Sequence, residues 1–266
     1  MTLSIALTDS VSMPLVGYGT YQTPPGETEG AVAAALRAGY RAVDTAQCYG
    51  NEREVGAACR ASGLPRSALF ITTKLWGCRG YKDTGRSIDG SLARLGLGAV
   101  DLLLLHEPTG DVPDIYRAME DALRAGKARA IGVSNFLEDK YLALLSTCAV
   151  PPALNQTETH VFRQQKHLRT LEQAHGTVHA SWSPLACGRH GIFRHPVLER
   201  IARAHGKSAA QIALRFLVQQ HIPVIPKSLS PAHMADNLAL FDFSLTADDM
   251  AAIEALDEGK SLFHWW

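Results

Sequence analysis

The 266-residue chain carries no net charge, 26 Lys and Arg balancing 26 Asp and Glu. That balance excludes the basic excess of a nucleic-acid surface and the acidic run of a disordered tail. No apolar run reaches the roughly 18 residues of a membrane span, so no membrane partner is expected. The opening MTLSIALTDSVSMP has neither a basic start nor an apolar stretch of secretory length. Cys48, Cys59, Cys78, Cys148 and Cys187 contain no CxxC and are odd in number, as expected of free thiols in the cytoplasm. Eleven histidines form no HExxH; His175 and His179 are four apart, but TVHAS reads as a strand. No metal site is expected. No Ser-, Gly- or charge-rich linker interrupts 1–266, which favours one domain. A chain of this length buries roughly 75% of its unfolded surface and needs no disulfide or metal to hold it. A cytoplasmic monomer is the expected state.

What the chain does have is an alternation of short apolar runs with longer amphipathic segments. The runs are LVGYG, YRAVDT, LFITTK, VDLLLLH, ARAIGVSN, PALNQ, TVHASW and IPVIPKS. Helical patterns such as EGAVAAALRAG, NEREVGAACRAS and DIYRAMEDALRAG lie between them, several ending in Gly. Continuous Val/Ile/Leu runs suit strands buried on both faces of a parallel sheet, and their alternation with helices means βαβ units. An open dinucleotide-binding sheet would carry GxGxxG after its first strand; that fingerprint is absent. Eight runs in a length near the roughly 250 residues of one barrel predict an α/β fold, the (β/α)8 TIM barrel. SIALTDSVSMP, with turn residues Asp9 and Ser10 between apolar runs, predicts a short N-terminal hairpin at the barrel's bottom.

Active sites of such barrels form at the C-terminal strand ends. Those ends are polar here: Asp44, Lys74, His106, Ser134 with Asn135, Gln156, and Lys227 with Ser228. Asp44, Lys74, His106 and Ser134 follow one another at 30, 32 and 28 residues, about one βα unit each. Tyr49 lies five residues past Asp44, in the next loop. Singly, these could be a helix cap, a solvated lysine or a core histidine; together they place an acid, a cation, an imidazole and a phenol at one mouth. A phenol titrates near 10, but a lysine cation at about 4 Å would stabilise its anion by roughly 4 kcal/mol. That is enough to bring Tyr49 toward neutrality, with Asp44 keeping Lys74 charged. Tyr49 would then serve as a general acid toward a carbonyl oxygen that His106 orients. Side chains cannot supply hydride, so a nicotinamide cofactor is implied. Two other readings stay open at this point. A Schiff-base aldolase would use Lys74 as a neutral nucleophile, which Asp44 disfavours. A cofactor-binding redox sensor without turnover would have no need of Tyr49.

These residues resemble the aldo-keto reductase family over nearly the whole chain. GYRAVDTAQCYGNEREVG (39–56) and RAIGVSNF (129–136) resemble its first two signatures, and IPKS (225–228) opens its third. SWSPLACG and FDFSLTADDM resemble bacterial members related to diketogluconate reductases. The resemblance implies NADPH-dependent reduction of aldehydes or ketones, with Tyr49 as acid, Lys74 and Asp44 behind it and His106 on the carbonyl. It implies Ser134, Asn135 and Gln156 on the nicotinamide carboxamide, Trp182 on the ring, and Ser183 and Leu185 at the pyrophosphate. Lys227, Ser228, Leu229 and Asn237 match the adenosine end, and Thr20 should approach the ribose. The loop CGRHGIFRHP is Gly-rich enough to close over a bound cofactor.

Two departures bear on specificity. The position five past Ser228, an arginine in NADPH-preferring relatives, is His233 here. An imidazole is a weaker phosphate partner than the permanently charged guanidinium fork, so NADH should be accepted as well, with a smaller preference for NADPH. The residue after His106 is Glu107, where many relatives have Trp; a carboxylate there suits hydroxylated or cationic substrates. Tyr21 and Trp76 match aromatic pocket positions, an apolar wall for a small carbonyl substrate. The short tail SLFHWW could fold Trp265 and Trp266 over the pocket or against the side of the barrel.

Overall fold

The structure, a computed structural model, describes residues 3–263; Trp265 and Trp266 lie outside them. The hairpin is present. Strands β1 (Ser4–Thr8) and β2 (Val11–Pro14) pair antiparallel, with Ile5 opposite Met13, around a turn at Asp9 and Ser10. Seven parallel strands follow in sequential order: β3 (Tyr18–Gly19), β4 (Ala42–Asp44), β5 (Phe70–Leu75), β6 (Val100–Leu105), β7 (Ala128–Ser134), β8 (Leu154–Glu158) and β9 (Val178–Trp182). Between them run α1 (Pro25–Ala38), α2 (Glu52–Ala61), α3 (Tyr81–Leu95), α4 (Val112–Arg124), α5 (Glu138–Leu145) and α6 (Lys166–Ala174). After β9 come α7 (Pro196–His205), α8 (Ala209–Val218), α9 (Pro231–Leu238) and α10 (Ala247–Glu254). The left-handed caps expected of glycine are there, Gly39 at φ 112° after α1 and Gly96 at φ 62° after α3.

The eighth apolar run departs from expectation. IPVIPKS does not form a strand; Val224 alone bridges Val16 on one side and Ser181 of β9 on the other. The reason is chemical. Pro223 and Pro226 have no N–H to give a ladder, so Val224 donates to Leu15 O at 2.9 Å while the Val224 and Pro223 carbonyls accept from Gly17 and Ser181. A Cβ at Gly19 would meet the Ile225 carbonyl oxygen at 2.7 Å, so this close approach requires glycine.

Strands β5 and β6 are buried along their whole length, as continuous apolar runs imply, and they face two different cores. One face, with Val43, Ile71, Leu103 and Ile131, packs under the helices. The other gathers Ala42, Phe70, Leu102, Leu104, Ala130, Leu154 and Ala180, with Leu7, Val11 and Met13 of the hairpin against them. Side chains alternate along a strand. Two-residue steps along this second face therefore lead from Ala42 to Asp44, from Leu104 to His106, from Leu154 to Gln156 and from Ala180 to Trp182, all toward the C-terminal ends.

Candidate active site

The turn that carries Tyr49 is held from several sides. Gln47, Cys48 and Tyr49 form one 3-10 turn, ended by Gly50 at φ 69°. The Gln47 carboxamide donates to Ser87 and Ser91 Oγ, each at 2.8 Å, and accepts from the Trp76 N–H at 2.9 Å. Asn51 is fully buried, accepts from Thr45 Oγ1 at 2.8 Å and donates to Thr20 O at 3.1 Å. Buried Glu52 accepts from Thr73 at 2.6 Å and pairs with Arg94 at 2.6 Å. Much of the first signature thus serves to lock one loop against β5.

Lys74 is fully buried at the end of β5 and pairs with Asp44 Oδ1. Its Nζ also lies 3.3 Å from the Tyr49 hydroxyl and 3.3 Å from Thr45 O. The second Asp44 oxygen accepts from Gln156 Nε2 at 2.9 Å. The His106 ring meets Tyr49 edge-on at 5.7 Å and Trp76 at 5.2 Å. All four expected residues converge. The electrostatics differ from the expectation that Lys74 would bring the Tyr49 phenol toward neutrality. Burial holds the phenol well above its usual range, and the Asp44 carboxylate pushes it further up. Tyr49 therefore keeps its proton at neutral pH, the state a proton donor needs. Burial, helped by Lys74, lowers His106 to about 3, so its imidazole is neutral.

Ser134, Asn135, Gln156 and Trp182 meet at one side of the same space. Ser134 Oγ donates to Gln156 O at 2.8 Å, Asn135 Nδ2 to His106 O at 3.1 Å, and Trp182 Nε1 to Asn135 Oδ1 at 2.7 Å. Asn135 (φ 63°) and Ser183 (φ 48°) have left-handed backbones. Such outliers gather at functional sites, and asparagine tolerates the conformation better than serine. A cavity of about 810 Å³ opens here, lined by Asp44, Tyr49, His106, Ser134, Asn135, Gln156, Trp182, Ser183, Leu185 and Lys227. Tyr21, Trp76 and Glu107 line its other side. Tyr21 and Trp76 are 41% and 47% exposed, so their rings are open to a ligand. Burial raises the Glu107 carboxyl, which has no hydrogen-bond or ionic partner among the described residues.

Some expected cofactor residues are not among those lining this cavity. Thr20 is fully buried with its hydroxyl on Asp44 O at 2.9 Å, so it supports the acid and does not line the cavity. Asn237 is buried and hydrogen-bonds Tyr40. Ser228, Leu229 and His233 follow Lys227 beyond the cavity lining: Ser228 O accepts from Tyr18 at 2.8 Å, Leu229 is exposed, and His233 lies in the first turn of α9, which Ser230 caps. The loop after β9 is folded, not open. Arg189 donates to Leu262 O at 2.5 Å, His190 pairs with Glu258 at 2.7 Å, and Trp182 meets Phe263 edge-on at 5.2 Å. Gln22, Cys48, Cys187 and Phe193 also line the cavity and escaped sequence reasoning. For Cys48 the signal was its place beside Tyr49; the others sit in loops without periodicity.

Among the described residues no group of three or more His, Cys, Asp or Glu could hold a metal ion, and no helix is long and apolar enough to cross a membrane. The Aldo/keto reductase family model matches residues 15–258. The chain is 43% identical to morphine 6-dehydrogenase of Pseudomonas putida, across 96% of this chain and 91% of that protein. It is 40% identical to a 9,11-endoperoxide prostaglandin H2 reductase of Trypanosoma cruzi, across 97% and 93%. An aldo/keto reductase from Brucella melitensis, known from its crystal structure, superposes with a TM-score of 0.92 at 40% identity, across 97% of this chain and all of that one. Matched over nearly its whole length, the chain belongs to the aldo/keto reductase family of oxidoreductases.

Proposed function

We propose that the protein reduces aldehyde or ketone carbonyls to alcohols with NADPH as the preferred cofactor, Tyr49 being the proton donor. The carrying observation is the Tyr49 hydroxyl at 3.3 Å from Lys74, with the neutral His106 beside it. The cavity suits a nicotinamide cofactor: Trp182 offers a ring face, Ser134, Asn135 and Gln156 cluster amide and hydroxyl groups, and Lys227 adds a cation toward α9. A bound nicotinamide would supply the hydride. His106 donates a hydrogen bond to the substrate oxygen and fixes its place, and Tyr49 passes its proton to that oxygen as negative charge grows there. Lys74 and Asp44 hold the phenol in position and shape the field around it. Lys74 paired with Asp44 is a poor Schiff-base nucleophile, which disfavours the aldolase reading.

In the same reading the contacts of Val224 close the sheet into a (β/α)8 barrel, and residues 1–266 are one domain, monomeric and cytoplasmic, in keeping with five free cysteines. Tyr21 and Trp76 form an apolar wall, with Glu107 at the mouth. Tyr49→Phe tests the mechanism. Oxidation of NADPH by an aldehyde panel should fall about 10²–10⁴-fold while NADPH still quenches tryptophan fluorescence as in the wild type. Unchanged turnover would overturn the role of Tyr49.

A further inference from the structure

Cys48 Sγ lies 3.5 Å from His106 Nδ1, the only polar contact of that ring among the described residues. Both side chains line the cavity, as does Tyr49, whose ring stands edge-on to the imidazole at 5.7 Å. A neutral imidazole has one N–H, and the partner of one nitrogen decides which nitrogen keeps it. We propose that Cys48 is a positioning residue that sets the tautomer of His106, its S–H donating to Nδ1 so that the ring proton sits on Nε2.

Three properties of the pair favour this direction of donation. Cys48 is exposed at the cavity, and partial burial of its thiol still pushes it up to about 11, so it holds its proton at neutral pH, with the Lys74 charge only partly opposing that rise. His106 is neutral at the same pH, so one of its two ring nitrogens carries no proton and can accept. Sulfur is a weak acceptor and an imidazole nitrogen a good one, so S–H to N is the better arrangement of this pair. Nε2 then presents a donor to a carbonyl oxygen. The opposite tautomer would present a lone pair and repel that oxygen.

The kinetic consequence rests on the carbonyl-reduction reading; the tautomer does not, and the two are measured separately. Protein with 15N-labelled histidine rings, observed at neutral pH with and without saturating NADPH, reports protonation at each ring nitrogen, and His106→Gln identifies the His106 signals. The wild type should show an unprotonated Nδ1 and a protonated Nε2. Cys48→Ala should shift the ring toward the other tautomer, and Cys48→Ser, which keeps a donor, should restore it. Loss of one neutral hydrogen bond corresponds to about two- to tenfold. Aldehyde kcat/KM should fall by that factor in Cys48→Ala and recover in Cys48→Ser, with NADPH affinity unchanged in both. A wild-type ring carrying its proton on Nδ1, or a Cys48→Ala spectrum identical to the wild type, overturns the proposal. If wild-type protein turns over no carbonyl compound at all, the reductase reading fails and the spectra still decide the tautomer.

Discussion

Lys74 and Asp44 are a buried ion pair in which each partner holds a second group: Nζ reaches the Tyr49 hydroxyl at 3.3 Å, and Oδ2 accepts from Gln156 at 2.9 Å. The pair therefore joins β4, β5 and β8 as well as placing the acid. Removing one partner leaves an uncompensated buried charge, which typically costs about 3–5 kcal/mol. Lys74→Met should lower the unfolding free energy read from urea melts by that order, and Asp44→Asn in the same protein should recover part of it. If Lys74→Met is as stable as the wild type, the pair is not the dry contact described above.

His106 gives a second, pH-dependent signature. The folded ring titrates at about 3, against 6.5 for an ordinary histidine. Below about 6.5 the unfolded chain takes up a proton that the folded protein refuses, so acid favours unfolding through the window from 6.5 down to about 3. The limiting slope is about 1.4 kcal/mol per pH unit, reduced by solvent screening of this half-buried ring. Urea melts at pH 7 and pH 4.5 should show the wild type losing more stability than His106→Gln. Equal losses would mean that the ring is not held neutral by its surroundings.

Glu107 is half-buried, its carboxyl has no hydrogen-bond or ionic partner among the described residues, and it lines the same cavity as Tyr21 and Trp76. Carboxylate and aromatic faces both attract cations. Glu107→Gln should raise KM about two- to tenfold for an aldehyde with a quaternary ammonium group and leave its neutral isostere unaffected. Equal effects on both would make Glu107 a solvated loop residue.

His233 lies exposed in the first turn of α9, past Lys227. A guanidinium there would add charge-assisted hydrogen bonds to a 2′-phosphate, worth about 1.5–3 kcal/mol. His233→Arg should raise the NADPH-over-NADH ratio of kcat/KM by about tenfold or more. An unchanged ratio would place the phosphate out of reach of this position.

Seven of the eight apolar runs became strands, their backbone N–H and C=O groups being available to the ladder. The eighth was misread because hydropathy does not register a missing N–H, and Pro223 and Pro226 each remove one. Asp44, Lys74, His106 and Gln156 were legible for a simple reason: they are polar where a buried run ends, and period two fixes the face they share. For Thr20 the sequence shows that a hydroxyl is nearby and not where it is spent, here on Asp44 O.

The order of elements, the polar strand ends and the family were determined by the sequence alone, since they follow from hydrophobic period, turn chemistry and motif spacing, which are local. Only the tertiary structure decided the protonation of Tyr49 and His106, the contact of Cys48 with the imidazole and the anchoring of the loop after β9. A pKa or a tautomer depends on what stands within a few ångströms in space, and those neighbours lie tens of residues apart in the chain: Lys74 is 25 residues from Tyr49, and His106 is 58 from Cys48.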